Sequence, residues 1–213
     1  PQLYFWIIFF IAFFIRLIFL VIFDGFERSL DGDEGAYHTR AIQILSGDFL
    51  GTSERPPLLG ALIAPIYFIF GNDPAYARLL MVCLSAFTAS GLFVLCNIFT
   101  KKYYVSALCA LILAIYPPSI WYSGWILTET LSSLLVLISV IYLYKFVNNK
   151  SCTNMFFLGT TFGLLTITRS LYLFLPIGIL LFYLAYFCIC EYRIKFIKDN
   201  LKALLLGVLM FLV

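Results

Sequence analysis

A few short polar groups interrupt an otherwise apolar chain, and they carry the residue types that move protons and hold anions. Asp33 and Glu34 stand side by side in the segment Asp31-Gly32-Asp33-Glu34-Gly35-Ala36-Tyr37-His38. Glu54 and Arg55 precede two prolines, Glu129 follows the turn Tyr122-Ser123-Gly124-Trp125, and Arg169 stands alone in a long apolar run. A carboxylate can take a proton from a hydroxyl, and a guanidinium fork can hold a phosphate through two parallel hydrogen bonds. Such a set suits a reaction between a lipid-phosphate-linked substrate and a polar acceptor. Each member also has a plainer reading. Asp33 and Glu34 can cap a helix, Arg55 can snorkel to a lipid headgroup, and Glu129 can face a helix dipole. Arg169 requires an anion or water wherever an apolar run places it. His38 is the sole histidine, with no second His or Cys beside it, so a zinc site is not expected.

The elements that must position these residues follow from composition. Of 213 residues, 12% are charged and 63% hydrophobic, with a mean hydropathy of +1.01, whereas a soluble domain carries roughly 25% charged residues. No water-soluble fold hides that much apolar surface, and the bilayer is the expected solvent. The net charge of +3 is small and its lysines sit in short clusters between apolar runs, so no nucleic-acid partner is expected. Most of the six cysteines lie in apolar runs, which suits buried thiols and not a disulfide framework.

Residues 3–23 read as a first span, followed by a polar loop over about residues 24–57. Within that loop residues 34–45 can form an amphipathic helix with Tyr37, Ala41, Ile44 and Leu45 on one face. Residues 58–70 are apolar for only 13 residues, a length that suits an interfacial helix better than a crossing. Further spans are expected over residues 79–99, 103–122 and 131–146. Residues 155–190 would be about 54 Å long as one helix against a core of about 30 Å, so this stretch must fold back near Arg169-Ser170. The fold class expected is all-α: a polytopic membrane protein of about seven transmembrane helices, with amphipathic interfacial helices in the first loop. Residues 1–213 are read as one transmembrane domain, the N-terminal fragment of a longer protein, because the chain opens on Pro1 and closes on Val213 inside an apolar run. Alternating the sides collects Lys101, Lys102, Lys145, Lys150, Arg193, Lys195, Lys198 and Lys202 in one compartment, the cytoplasmic one by the positive-inside rule. The acids of the first loop, Asp73, Glu129 and Arg169 then face outside.

Taken together, these segments resemble a family. Asp33-Glu34-Gly35-Ala36-Tyr37 in the first outer loop, Glu54-Arg55-Pro56 before a short apolar segment ending at Gly71, Arg78 after it, Glu129 after a Tyr-Ser turn, and Thr168-Arg169 followed by Pro176 are similar to the multi-spanning GT-C type glycosyltransferases. The nearest groups are the protein O-mannosyltransferases and the lipid A aminoarabinose transferases. The likeness covers the whole stretch, and its weight lies in the order of short motifs. It implies inverting transfer from a polyprenyl-phosphate-linked sugar to a protein, lipid or glycan on the outer or lumenal face of a cell membrane, bacterial or archaeal before endoplasmic reticulum. By the same likeness the base falls on Asp33, with Glu34 and Glu129 completing the catalytic acids. The lipid phosphate falls on Arg55, and Glu54, Tyr37, His38 and Arg169 join the substrate-binding set. Relatives of this kind differ in metal use, so a divalent cation held by Asp33, Glu34 or Glu129 stays open. Two other classes compete. A transporter or flippase for an anionic lipid or solute also keeps charges in the membrane, but it should show paired repeats with broken helices, and no internal repeat is visible. A noncatalytic assembly subunit on the same fold is the third.

Overall fold

The opening run of Phe, Ile and Leu can satisfy its backbone in an apolar solvent only by closing its own hydrogen bonds. It forms helix α1, Gln2–Phe19, continued by a π-helical turn over Leu20–Asp24. The computed structural model describes residues 2–49, 55–175 and 178, in two compact units, Pro1–Leu137 and Ile138–Val213. After α1 come α2 (Asp33–Leu45), α3 (Pro57–Phe70), α4 (Pro74–Thr100), α5 (Tyr103–Ile115), α6 (Pro117–Ser123), α7 (Thr128–Asn149) and α8 (Cys152–Thr168). A 3-10 turn over Ser170–Phe174 closes the series, and no strand occurs among the described residues.

The regular structure among the described residues is thus all helical. Three stretches, Gln2–Phe23, Pro74–Thr100 and Thr128–Asn149, are long and apolar enough to cross a membrane, and α5 with α6, bent by 57°, makes a fourth if the pair is one span. Among the described residues these are three or four of the seven or so spans expected. At 17 residues α8 is apolar but short, and the returning arm expected after Arg169 lies outside the described residues. The break itself is present: α8 stops at Thr168, and Arg169 is extended at φ −153°, ψ 126°.

In the first unit α1, α4 and α5 meet through small residues. Ala12, Ala86, Ala89 and Ala114 gather around Phe9, and Ala110 joins Ile8 and Phe93. Lipid tails are as apolar as these side chains, so close backbone approach and dense contact supply the attraction. Tyr4 stacks on Tyr103 at 6.0 Å at one end, and Phe19 meets Trp121 at 5.9 Å at the other, so α1 runs alongside α5 and α6 in the same direction. Asp73 caps α4 by accepting the N–H of Ala75 at 2.8 Å, and the 27 residues of that helix, about 40 Å long, separate the acidic first loop from Lys101 and Lys102.

Helix α3 matches the short apolar segment. It buries Leu59, Gly60, Ile63, Ala64 and Tyr67 against the rest of the unit and leaves Leu62, Phe68, Ile69 and Phe70 uncovered. Its neighbour is α2, and the two approach closely at Gly60, where an added Cβ would lie 2.8 Å from Cγ of Arg40 and 3.4 Å from the backbone nitrogen of Ala41. The buried face of α2 differs from the expected one. Tyr37 and Ala41 are inside, but Ile44 is half-buried and Leu45 exposed, while Glu34 and Arg40 are buried in their place. Glu34 is held there by ion pairs with Arg28 and Arg78, and Arg40 by donating to the carbonyl of Phe49 at 2.6 Å.

Candidate active site at the start of helix α2

Two adjacent acids end in opposite environments because of the residue before them. Gly32 caps α2 at φ 52°, ψ −116°, a conformation open to a residue without Cβ, and Asp33 then opens the helix. The carbonyl of Asp31 accepts the N–H of Glu34 at 3.1 Å, which turns Glu34 inward.

Glu34 is wholly buried. Nη2 of Arg28 donates to both its carboxylate oxygens at 2.9 Å, and the backbone N–H of Ile126 donates to Oε1 at 2.9 Å. Nη2 of Arg78 stands 3.8 Å from Oε2, while its guanidinium donates to the carbonyls of Phe26 at 2.6 Å and Arg28 at 2.8 Å. Arg28 in turn lies over the ring of Trp125 at 3.9 Å, a cation–π contact. A buried carboxylate is tolerable only when so thoroughly paired. One side chain therefore ties together the first loop, α2, the start of α4 and the turn before α7.

Asp33 is the opposite case. Its side chain is 46% exposed and pairs with Nη2 of Arg55, itself 43% exposed, just ahead of α3. An exposed ion pair is worth about 0.2–1 kcal/mol, so either partner can be exchanged for a substrate group at small cost. One turn further along α2, Nδ1 of His38 lies 2.8 Å from the hydroxyl of Tyr67 on α3, with the rings edge to face. Burial pushes the His38 imidazole below its ordinary pKa, only partly opposed by Asp73, and burial pushes the Tyr67 phenol well above its own. A neutral imidazole facing a protonated phenol is the resulting pair at neutral pH.

The other expected residues are distributed differently. Tyr37 is buried on the inner face of α2. Glu129 sits half-buried in the first turn of α7, three residues after the Ile126 N–H that Glu34 accepts. Arg169 is exposed at the end of α8 in the second unit, and Glu54 lies outside the described residues. No group of three His, Cys, Asp or Glu side chains forms among the described residues, so Asp33, Glu34 and Glu129 do not assemble into a metal cradle there. Arg28, Trp125 and Tyr67 have places in this site that sequence reading did not assign. The doubled charge Asp33-Glu34 was the available signal, since two adjacent acids call for cations nearby. Comparison with protein-family models, characterised proteins and solved structures gives no match for the chain.

Proposed function

We propose that the chain is a membrane glycosyltransferase domain of the GT-C kind, taking its sugar from a polyprenyl-phosphate donor on the outer or lumenal face, in a protein of about seven spans. The observation that carries this reading is the pairing of an exposed carboxylate, Asp33, with an exposed guanidinium, Arg55, at the start of a helix whose uncovered face is apolar. A lipid phosphate needs a cation at the edge of an apolar surface, and a hydroxyl acceptor needs a base beside it.

The chemistry assigned to these residues balances as follows. The acceptor hydroxyl forms a bond to the anomeric carbon, and the bond from that carbon to the phosphate oxygen breaks with inversion. The polyprenyl phosphate leaves with the electron pair and stays on Arg55, and the proton goes to Asp33. In the resting protein Arg55 is engaged by Asp33, so an arriving phosphate competes for the guanidinium and releases the carboxylate as it does so. His38 and Tyr67 offer a second polar edge for the sugar, and no step is routed through a metal.

One observation favours a transporter: the span α5–α6 is broken. There, however, the freed carbonyls are filled by Arg16 of the same chain and are not left open to a ligand. The full-length protein in proteoliposomes, supplied with a labelled polyprenyl-phosphate sugar and an acceptor on the loop side, decides between the two. Label appearing on the acceptor supports transfer. Label or lipid crossing the bilayer with no glycosylated product overturns it.

A further inference from the structure

Arg16 lies near the end of α1 and is wholly buried. A guanidinium has five N–H groups, and here each finds an acceptor. Nε donates to Oγ of Ser85 at 2.7 Å, and Nη1 donates to the carbonyls of Ala12 at 3.1 Å and Ala114 at 2.9 Å. Nη2 donates to the carbonyl of Leu113 at 3.3 Å and to Oγ of Ser119 at 3.0 Å. Every one of these partners is uncharged. A cation inside an apolar bundle ordinarily marks an anionic partner, so a different need must explain it.

The two carbonyls on α5 supply that need. In a continuous helix the carbonyls of Leu113 and Ala114 would accept the N–H groups of residues 117 and 118. Both positions are proline, and neither has an N–H to give. Leu113 keeps only a bond of 3.3 Å from the N–H of Tyr116. In apolar surroundings an underserved carbonyl is costly, and the Arg16 fork donates to both oxygens.

We propose that Arg16, Pro117 and Pro118 form one positioning device for the site. The prolines break the span, the guanidinium replaces the two missing N–H groups, and the 57° bend so fixed sets where α6 ends. Helix α6 leads directly into Trp125 and Ile126, whose ring and N–H meet Arg28 and Glu34, and Trp121 links it back to Phe19 of α1. Arg16 touches none of the Asp33 site itself and acts through the bend. The device holds whatever reaction that site carries out. A lysine, with three donors on one nitrogen, cannot serve these five acceptors.

Thermal unfolding of the full chain in detergent tests the coupling through Arg16→Met, Arg16→Lys, the double variant Pro117→Ala/Pro118→Ala, and their combinations. Arg16→Met should lower Tm by about 10 °C or more in the native background. It should cost less than half as much beside the two alanines, whose N–H groups serve the same carbonyls. Equal losses in both backgrounds, or an Arg16→Lys protein as stable as the parent, overturn the proposal. The positioning half is read from Trp125 as the only tryptophan, after Trp6→Phe and Trp121→Phe. Acrylamide quenching of Trp125 should rise on Pro117→Ala/Pro118→Ala, and unchanged quenching there shows that the bend does not place Trp125. That arm stays readable even if Arg16→Met does not fold.

Discussion

Replacing Glu34 by alanine removes the carboxylate on which Arg28, Arg78 and the Ile126 N–H converge. Arg28 then loses both bonds to Glu34, and the buried N–H of Ile126 loses its acceptor. Breaking a buried ion pair by deleting one partner costs about 3–5 kcal/mol, to which an unsatisfied buried N–H adds about 1–3 kcal/mol where water cannot reach it. At roughly 2–4 °C per kcal/mol for a chain of this size, the ion-pair loss alone lowers Tm by about 6–20 °C. Glu34→Gln keeps the shape and one acceptor oxygen but turns an amide toward Arg28, so it should fall between the parent and the alanine variant. Asp33→Asn, one residue away and exposed, should leave Tm within about 2 °C, because surface substitutions of this kind are usually within ±0.5 kcal/mol. Differential scanning fluorimetry of the three proteins in one detergent gives the comparison directly. A Glu34→Ala protein that melts with the parent would refute the reasoning, since no buried hub could then rest on that side chain.

Arg55→Ala should weaken binding of a polyprenyl-phosphate donor at least about tenfold, or 1.4 kcal/mol, while Arg55→Lys keeps part of it because charge survives without the fork; equilibrium binding in nanodiscs reads both. Gly60→Ala should destabilise by about 1–3 kcal/mol, because the added Cβ meets Cβ of Arg40 at 3.2 Å and the Ala41 backbone, whereas Gly35→Ala, with nothing within 4 Å, should hold or raise Tm. His38 is depressed below its unfolded pKa of 6.5, so the unfolded chain binds the proton first as pH falls. Its stabilising contribution is therefore full above about pH 6.5 and is lost below it, and Tm measured from pH 7.5 to 5 should fall less steeply in His38→Asn.

The local features were legible because their causes are local. Thirteen apolar residues bounded by prolines and Gly71 gave a short helix at α3, and the lone Arg169 marked the end of α8. The start of α2 at the acid pair followed from the amphipathic spacing of residues 34–45, which puts the acids at the helix N-terminus. What escaped depends on residues far apart in the chain. Nothing near Glu34 announces Ile126, and nothing in the apolar pattern of residues 34–45 shows that Glu34 is buried while Leu45 at the other end of the helix is exposed. Arg16 stood in plain view as the one break in the first span, and Pro117-Pro118 as the break in another. Matching two of the five donors to the carbonyls of Leu113 and Ala114 required their packing in space.

The central claim is that Asp33 accepts the proton in sugar transfer from a lipid phosphate. The most direct test is the rate of transfer by the full-length Asp33→Asn variant under saturating donor and acceptor. Asparagine keeps the size and most of the hydrogen bonding of Asp33 but cannot take a proton. The account predicts a protein that inserts and folds as the parent does and binds donor at least as tightly, since Arg55 is no longer engaged by a carboxylate, yet transfers sugar at least about a hundredfold more slowly. Transfer at the parent rate would contradict it and leave Asp33 a helix-terminal acid paired with Arg55.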